Sequence, residues 1–289
     1  MIYVICGPTG SGKTNIAKKL SDKYHAPIIN ADAFQIYQEM DIGTAKISKD
    51  DPYYKLHYLL DIKKPNETFS VMEYQSLFRK TVDELSKDCQ DIIVCGGTGL
   101  YIRASLYDYV FKEEEEVDTS DLEELDNEQL YEMLLEIDPE STKTIHKNNR
   151  KRVIRAIAFY RSQGVNKSAS IEAQEHKLIY DAKILMLNPN RETLYENINK
   201  RVDEMFELGL VDEVKSLLNK YELSQTAKAA IGYKEVIDYL EGKTSLDDCK
   251  ELIKKRTRNY AKRQVTFFKN QFALEMFDSP EELLDKYCK

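Results

Sequence analysis

Gly7-Pro8-Thr9-Gly10-Ser11-Gly12-Lys13-Thr14 follows the apolar opening Met1 to Cys6 and runs into a segment of helical character, Asn15 to Tyr24. The three glycines let the main chain bend so that successive N–H groups converge on one anion. Lys13 adds a point charge, and Thr14 offers a hydroxyl to Mg²⁺. A strand before the loop and a helix after it is the context in which this spacing cradles phosphates. The ligand therefore carries a di- or triphosphate; whether those phosphates belong to a nucleotide does not follow from the loop.

Composition sets the outer limits. A chain of 289 residues with 42% hydrophobic content buries a substantial core, as one large domain with an insertion or as two domains. The five cysteines, Cys6, Cys89, Cys95, Cys249 and Cys288, show no C-x-x-C pairing and the four histidines are scattered, so neither a disulfide framework nor a zinc finger is indicated. The opening run is too short for a signal peptide, and no stretch approaches the ~18 apolar residues of a membrane span. A soluble, cytoplasmic, monomeric protein is expected.

The net charge of −8 argues against a nucleic-acid partner, but its distribution argues for one. Ser141 to Ile171 contains no acidic residue and eight basic ones: Lys143, Lys147, Arg150, Lys151, Arg152, Arg155, Arg161 and Lys167. Lys250 to Lys269 holds eight more against the single Glu251, while Glu113 to Glu128 has ten carboxylates and no base. The acidic run reads as a solvated face. Segregated positive charge on an acidic protein is the footprint of contact with a phosphate backbone.

The apolar runs Met1–Cys6, Pro27–Ala31, Tyr58–Ile62, Ile92–Cys95 and Ile184–Leu187 are short, rich in Ile, Val and Tyr, and bounded by Gly, Pro or Asn. They predict buried parallel strands. Helical spacing between them, clearest from Ser70 to Ser86, predicts crossovers and hence an α/β fold. The spacing gives a P-loop NTPase-like parallel sheet core (1–108), a mainly helical inserted subdomain (109–180), and a return strand with a helical C-terminal part (181–289). Ligand chemistry belongs beyond the carboxyl ends of such strands. There lie Asp32 and Gln35 in NADAFQIY, and Thr98 in the second glycine-rich turn, Gly96 to Gly99. Asp32 suits a general base, a Mg²⁺ partner or the cap of a helix or turn.

The order GPTGSGKT (7–14), NADAFQIYQEMDIGTAK (30–46), HYLLD (57–61), GGTGLYIRA (96–104), RKRVIRAI (150–157), RVDEMFELGLVDEV (201–214), AAIGYKE (229–235) and TRNYAKRQVTFF (257–268) resembles the bacterial tRNA dimethylallyltransferases. The likeness weakens after Tyr107 and over the last twenty residues. The chain has Asp32-Ala33 where the family usually shows Asp-Ser, and Thr266-Phe267-Phe268 where it often shows Thr-Trp-Phe.

The resemblance implies transfer of a dimethylallyl group from its diphosphate to the exocyclic amine of the tRNA adenine just 3′ of the anticodon. The P-loop, Gly7, Pro8, Thr9, Gly10, Ser11, Gly12, Lys13 and Thr14, would then hold pyrophosphate rather than ATP, joined by Arg201 and by Mg²⁺ at Thr14. Asp32, Thr98 and Lys13 would be catalytic. Asp32, Ala33, Phe34, Gln35 and Thr98 would face the target base, with Lys151, Arg152, Val153, Ile154 and Arg155 on the anticodon stem-loop. Two other readings share the cradle: a small-molecule or nucleoside kinase, and an adenylate isopentenyltransferase of the cytokinin type. A kinase has no use for a thirty-one-residue acid-free insertion, and the cytokinin-type enzyme needs a basic group for its acceptor's phosphate.

Overall fold

A computed structural model describes residues 1–111, 117–172 and 176–288. The chain divides into two compact units, Met1–Tyr107 with Leu178–Lys289, and Asp108–Lys177. Tyr107 and Leu178 form an antiparallel bridge, and Ile179 N–H donates to Leu106 O (2.9 Å). These contacts put residues 178–180 with the first unit, a little inside the limits expected from the sequence.

In the first unit, β1 (Ile2–Cys6), β2 (Ile28–Asn30), β3 (His57–Tyr58), β4 (Ile92–Cys95), β5 (Ala182–Leu187) and β6 (Glu275–Phe277) form one sheet in the order β3-β2-β4-β1-β5-β6. Every neighbouring pair is parallel, with Ile2 opposite Ile92 on one side and Ala182 on the other. Central β1 is buried along its whole length, and the two-residue period of a strand splits its side chains between two cores. Tyr3 and Ile5 join Ile16, Ala17 and Leu20 of the helix Lys13–Tyr24 on one face; Val4 and Cys6 join Tyr74, Phe78 and Phe268 on the other.

The helix Val71–Leu85 begins where its sequence says it should. Ser70 Oγ accepts from Glu73 N–H (3.1 Å) and the Glu73 carboxylate accepts from Ser70 N–H (2.8 Å), a closed capping box. The run Tyr58–Ile62 does not continue as a strand. Leu59 (φ 60°) and Asp61 (φ 53°) enter the left-handed region, which ends β3 after two residues. Nor is the chain helical from Asn188 to its end. The helices Arg191–Glu207, Leu210–Lys220, Gln225–Lys228, Tyr233–Leu240 and Leu246–Gln271 are followed by β6, which pairs with β5 before the last helix, Pro280–Tyr287.

The second unit consists of helices Ser120–Glu123, Asn127–Ile137, Pro139–Thr142, Arg150–Gln163 and Lys167–Glu172. Leu122, Leu130, Leu134, Ile145, Val153, Ala156 and Ile157 form its core. The acidic run within it is not purely solvated. Asp121 takes both guanidinium nitrogens of Arg161 (2.8 and 2.7 Å), and Glu128 pairs with Lys147. Arg150 donates to the carbonyls of Leu122 (2.9 Å) and Leu125 (2.6 Å). Residues Glu113 to Glu116 of that run lie outside the described residues. No described helix is long and apolar enough to cross a membrane.

Candidate active site

The carboxyl ends of β1, β2 and β4 open onto a cavity of about 390 Å³ in the first unit, closed across from them by the helices Arg191–Glu207 and Leu246–Gln271. The loop after β1 forms its floor. Gly7 adopts φ 137°, and a Cβ there would lie 2.3 Å from the Leu187 carbonyl oxygen, so the close approach of β1 to the end of β5 admits only glycine. Two N–H groups of the loop are already taken: Thr9 donates to Gln264 Oε1 (3.0 Å) and Ser11 to Pro8 O (3.4 Å). Those of Gly10, Gly12, Lys13 and Thr14 have no acceptor among the described residues. Four free donors at the start of a twelve-residue helix make a site for an anion.

Lys13 Nζ donates to Pro8 O (2.6 Å). Burial pulls its ammonium down to about 8; Arg201 pushes the same way, while Cys95 and Asp32 oppose. Arg201 also lies in the cavity wall, its pKa lowered by burial against the pull of Asp32. Its Nη2 donates to Thr44 O (3.4 Å), which also accepts from Gln35 Nε2 (3.1 Å). Lys13 and Arg201 thus share the cleft with the one carboxylate of Asp32, an excess of positive charge that suits a diphosphate.

Asp32 is the single carboxylate lining the cavity among the described residues. Its Oδ1 accepts from Phe34 N–H (3.0 Å), so of the expected capping roles Asp32 fills that of a turn rather than a helix, and Oδ2 has no partner among the described residues. Asn30, almost fully buried, fixes the turn by accepting from Asp32 N–H (3.1 Å) and donating to the carbonyls of Asp32 (3.2 Å) and Leu59 (3.1 Å). Phe34 and Gln35 line the cavity; Ala33 and Thr98 do not. Thr98 Oγ1 accepts from Ala33 N–H (3.0 Å), so its hydroxyl holds the Asp32 turn against the second glycine turn. Tyr260 lies beside Thr98 and Gln264, its phenol pushed up to about 12 by burial and by Asp32.

Thr14 also lines the cavity. No group of three or more His, Cys, Asp or Glu able to hold a metal occurs among the described residues. The donors available to a cation here are oxygens of Thr14, of Asp32 and of a bound phosphate. That set fits Mg²⁺, which binds through one or two protein oxygens, substrate phosphates and water rather than in a protein cage.

In the second unit, Lys151, Arg152 and Arg155 are exposed on the helix Arg150–Gln163, with no ion-pair partner among the described residues. Val153, by contrast, is fully buried and Ile154 packs against the same core, so Val153 offers a ligand no side-chain surface. Helical spacing puts it on the inner face of the segment that carries the three free cations.

Several site residues carried no signal of their own. Gln264 and Tyr260 sit in TRNYAKRQ, and Thr44 in DIGTAK. Glu213 reaches the same loop from the helix Leu210–Lys220, accepting from the N–H groups of Asp41 (3.0 Å), Ile42 (2.7 Å) and Gly43 (3.2 Å) and from Tyr233 OH (2.6 Å). Lys46 is buried between Asp41 and Asp61, 2.6 Å from each. Three of the sequence motifs therefore converge to hold the Thr44 carbonyl, on which Gln35 and Arg201 both depend.

A family model described as IPP transferase matches residues 35–271. The tRNA dimethylallyltransferase of Geobacillus thermodenitrificans is 44% identical over 293 residues, covering 99% of this chain and 93% of its own length. The crystal structure of a tRNA delta(2)-isopentenylpyrophosphate transferase from Staphylococcus epidermidis superposes with a TM-score of 0.72 at 38% identity, covering 99% of this chain and 97% of that one. A eukaryotic dimethylallyltransferase acting on tRNA superposes with a TM-score of 0.82 at 27% identity, over 99% of this chain and 76% of its own. With matches of this extent, the chain belongs to the IPP transferase family.

Proposed function

We propose that this protein transfers the dimethylallyl group of dimethylallyl diphosphate to the exocyclic N6 amine of the tRNA adenine immediately 3′ of the anticodon, releasing diphosphate. The observation that carries this reading is one cavity holding a phosphate cradle, the half-buried cations Lys13 and Arg201 and, among the described residues, a single carboxylate with a free oxygen, in a chain of the IPP transferase family. Neither a kinase nor an adenylate isopentenyltransferase is favoured by relatives that are named for tRNA.

The geometry supplies the parts of the reaction. As the allylic C–O bond breaks, negative charge gathers on the diphosphate, where Lys13, Arg201 and the four free N–H groups neutralise it. Ile198, Val202, Met205, Ile231 and Ile253 give the isoprenoid an apolar wall. The adenine amine forms the new N–C bond and gives its proton to Asp32 Oδ2. Mg²⁺, held by Thr14 and the diphosphate oxygens, would add charge neutralisation to the leaving group. Adenine must leave its loop to reach such a cavity, and Gln35, which lines it, would read the base edge.

Lys151, Arg152 and Arg155 are the proposed grip on the anticodon stem-loop, through phosphates. Reversing Arg152 and Arg155 to Glu is expected to weaken tRNA binding and flatten its salt dependence by about one unit of slope per lost contact. Filter binding across a salt series checks this; unchanged affinity removes the helix from the interface. The position of transfer is tested by digesting reacted tRNA to nucleosides. Isoprenylated adenosine is expected from tRNA with adenine 3′ of the anticodon and none from tRNA with guanine there; label in both contradicts the proposed target.

A further inference from the structure

A loop of the form G-x-x-x-x-G-K-[ST] ordinarily serves triphosphates, its lysine reaching the outer two phosphates. Nothing within the loop of this chain restricts it to two. A residue 255 positions away in sequence bears on that limit. Gln264, on the helix Leu246–Gln271, is nearly fully buried and lines the cavity. Its Oε1 accepts from Thr9 N–H (3.0 Å) and its Nε2 donates to Gly97 O (2.9 Å). The two partners fix the amide's orientation, since an N–H meets only the oxygen and a carbonyl only the nitrogen. A Cβ on Gly97 would lie 2.4 Å from Gln264 Nε2, so a side chain there would have to displace the amide.

We propose that Gln264 is the residue that limits the cradle to a diphosphate. By occupying Thr9 N–H, it removes the donor that a longer polyphosphate would meet next to Gly10, and puts a carbonyl-type oxygen in its place. A third phosphate there finds a lone pair instead of a hydrogen. The four donors from Gly10, Gly12, Lys13 and Thr14 remain, enough for two phosphates. The motif TRNYAKRQ thereby acquires a role in the site. Its final residue ties the phosphate loop to the second glycine turn, while Tyr260 in the same motif lies beside the amide.

The inference rests on the diphosphate reading of the cradle, and calorimetric binding of pyrophosphate and of inorganic tripolyphosphate, with Mg²⁺ and without tRNA, separates the two. The native protein is expected to favour pyrophosphate. In Gln264→Ala, Thr9 N–H is released and the preference is expected to fall by about tenfold, the effect of one hydrogen bond to a charged group, mostly through tighter tripolyphosphate. Gly97→Ala, which drives the amide off Thr9, is expected to do the same, and the double variant no more than either. A preference unchanged in both variants, with melting temperatures close to native, overturns the role of Gln264 and leaves the diphosphate cradle intact. A native protein that binds neither anion overturns the cradle itself.

Discussion

Asp32→Asn is expected to lower turnover by about a thousandfold, the middle of the range for losing a general base, while tRNA binding and melting temperature stay near native. Asparagine is the informative replacement because it keeps what Asp32 does structurally. An amide oxygen caps Phe34 N–H as well as a carboxylate does, and the contacts that Asn30 makes to the main chain of the turn are untouched. What asparagine cannot do is accept the amine proton. Single-turnover rates with bound tRNA separate chemistry from binding. Native-like turnover in Asp32→Asn reduces Asp32 to a cap and removes it from the mechanism.

The second large effect belongs to Lys13. Lys13→Ala is expected to cost about a hundredfold or more in kcat/KM for the donor, as for loss of one preorganised group facing developing charge. Its pH dependence is more distinctive. The ammonium is charged below about 8 and neutral above it, so in the free protein the cradle loses a positive charge as pH rises. Since kcat/KM reports the free enzyme, it is expected to fall about tenfold per pH unit above 8. Cys95, pushed up to about 11 by burial, and Tyr260 titrate too high to produce that fall. Lys13→Arg carries a charge that does not titrate in this range, so its profile should stay flat to pH 10 even though its level is lower. A native profile flat through pH 10 together with native-like kcat/KM in Lys13→Ala assigns Lys13 no electrostatic part in donor capture.

What could be read from the sequence was what is local in the chain. The loop Gly7 to Thr14 announces itself because strand, glycine spacing, lysine and helix are consecutive. The apolar residues from Ser70 to Ser86 declare a helix by their spacing. Asp32 was visible as a carboxylate at a strand end, and its cap and its free oxygen were both within that reading. The limits appeared where a few residues decide. Leu59 and Asp61 lie in a run of strand-like composition, and their left-handed backbone is imposed by the fold; β6 is three residues that adopt strand geometry only by pairing with β5. Val153 sits inside a basic segment whose helical spacing turns it inward. Gln264 and Glu213 were legible as motif members but not in what they do, because a polar side chain that bonds the main chain a hundred or more residues away leaves no local pattern.

The central claim is tested most directly by a transfer assay with radiolabelled dimethylallyl diphosphate and Mg²⁺, offering unmodified tRNA with adenine 3′ of the anticodon and, in separate reactions, AMP and ATP. Label in tRNA alone is the predicted result. Label in AMP or ATP, or no transfer accompanied by ATP hydrolysis, contradicts it.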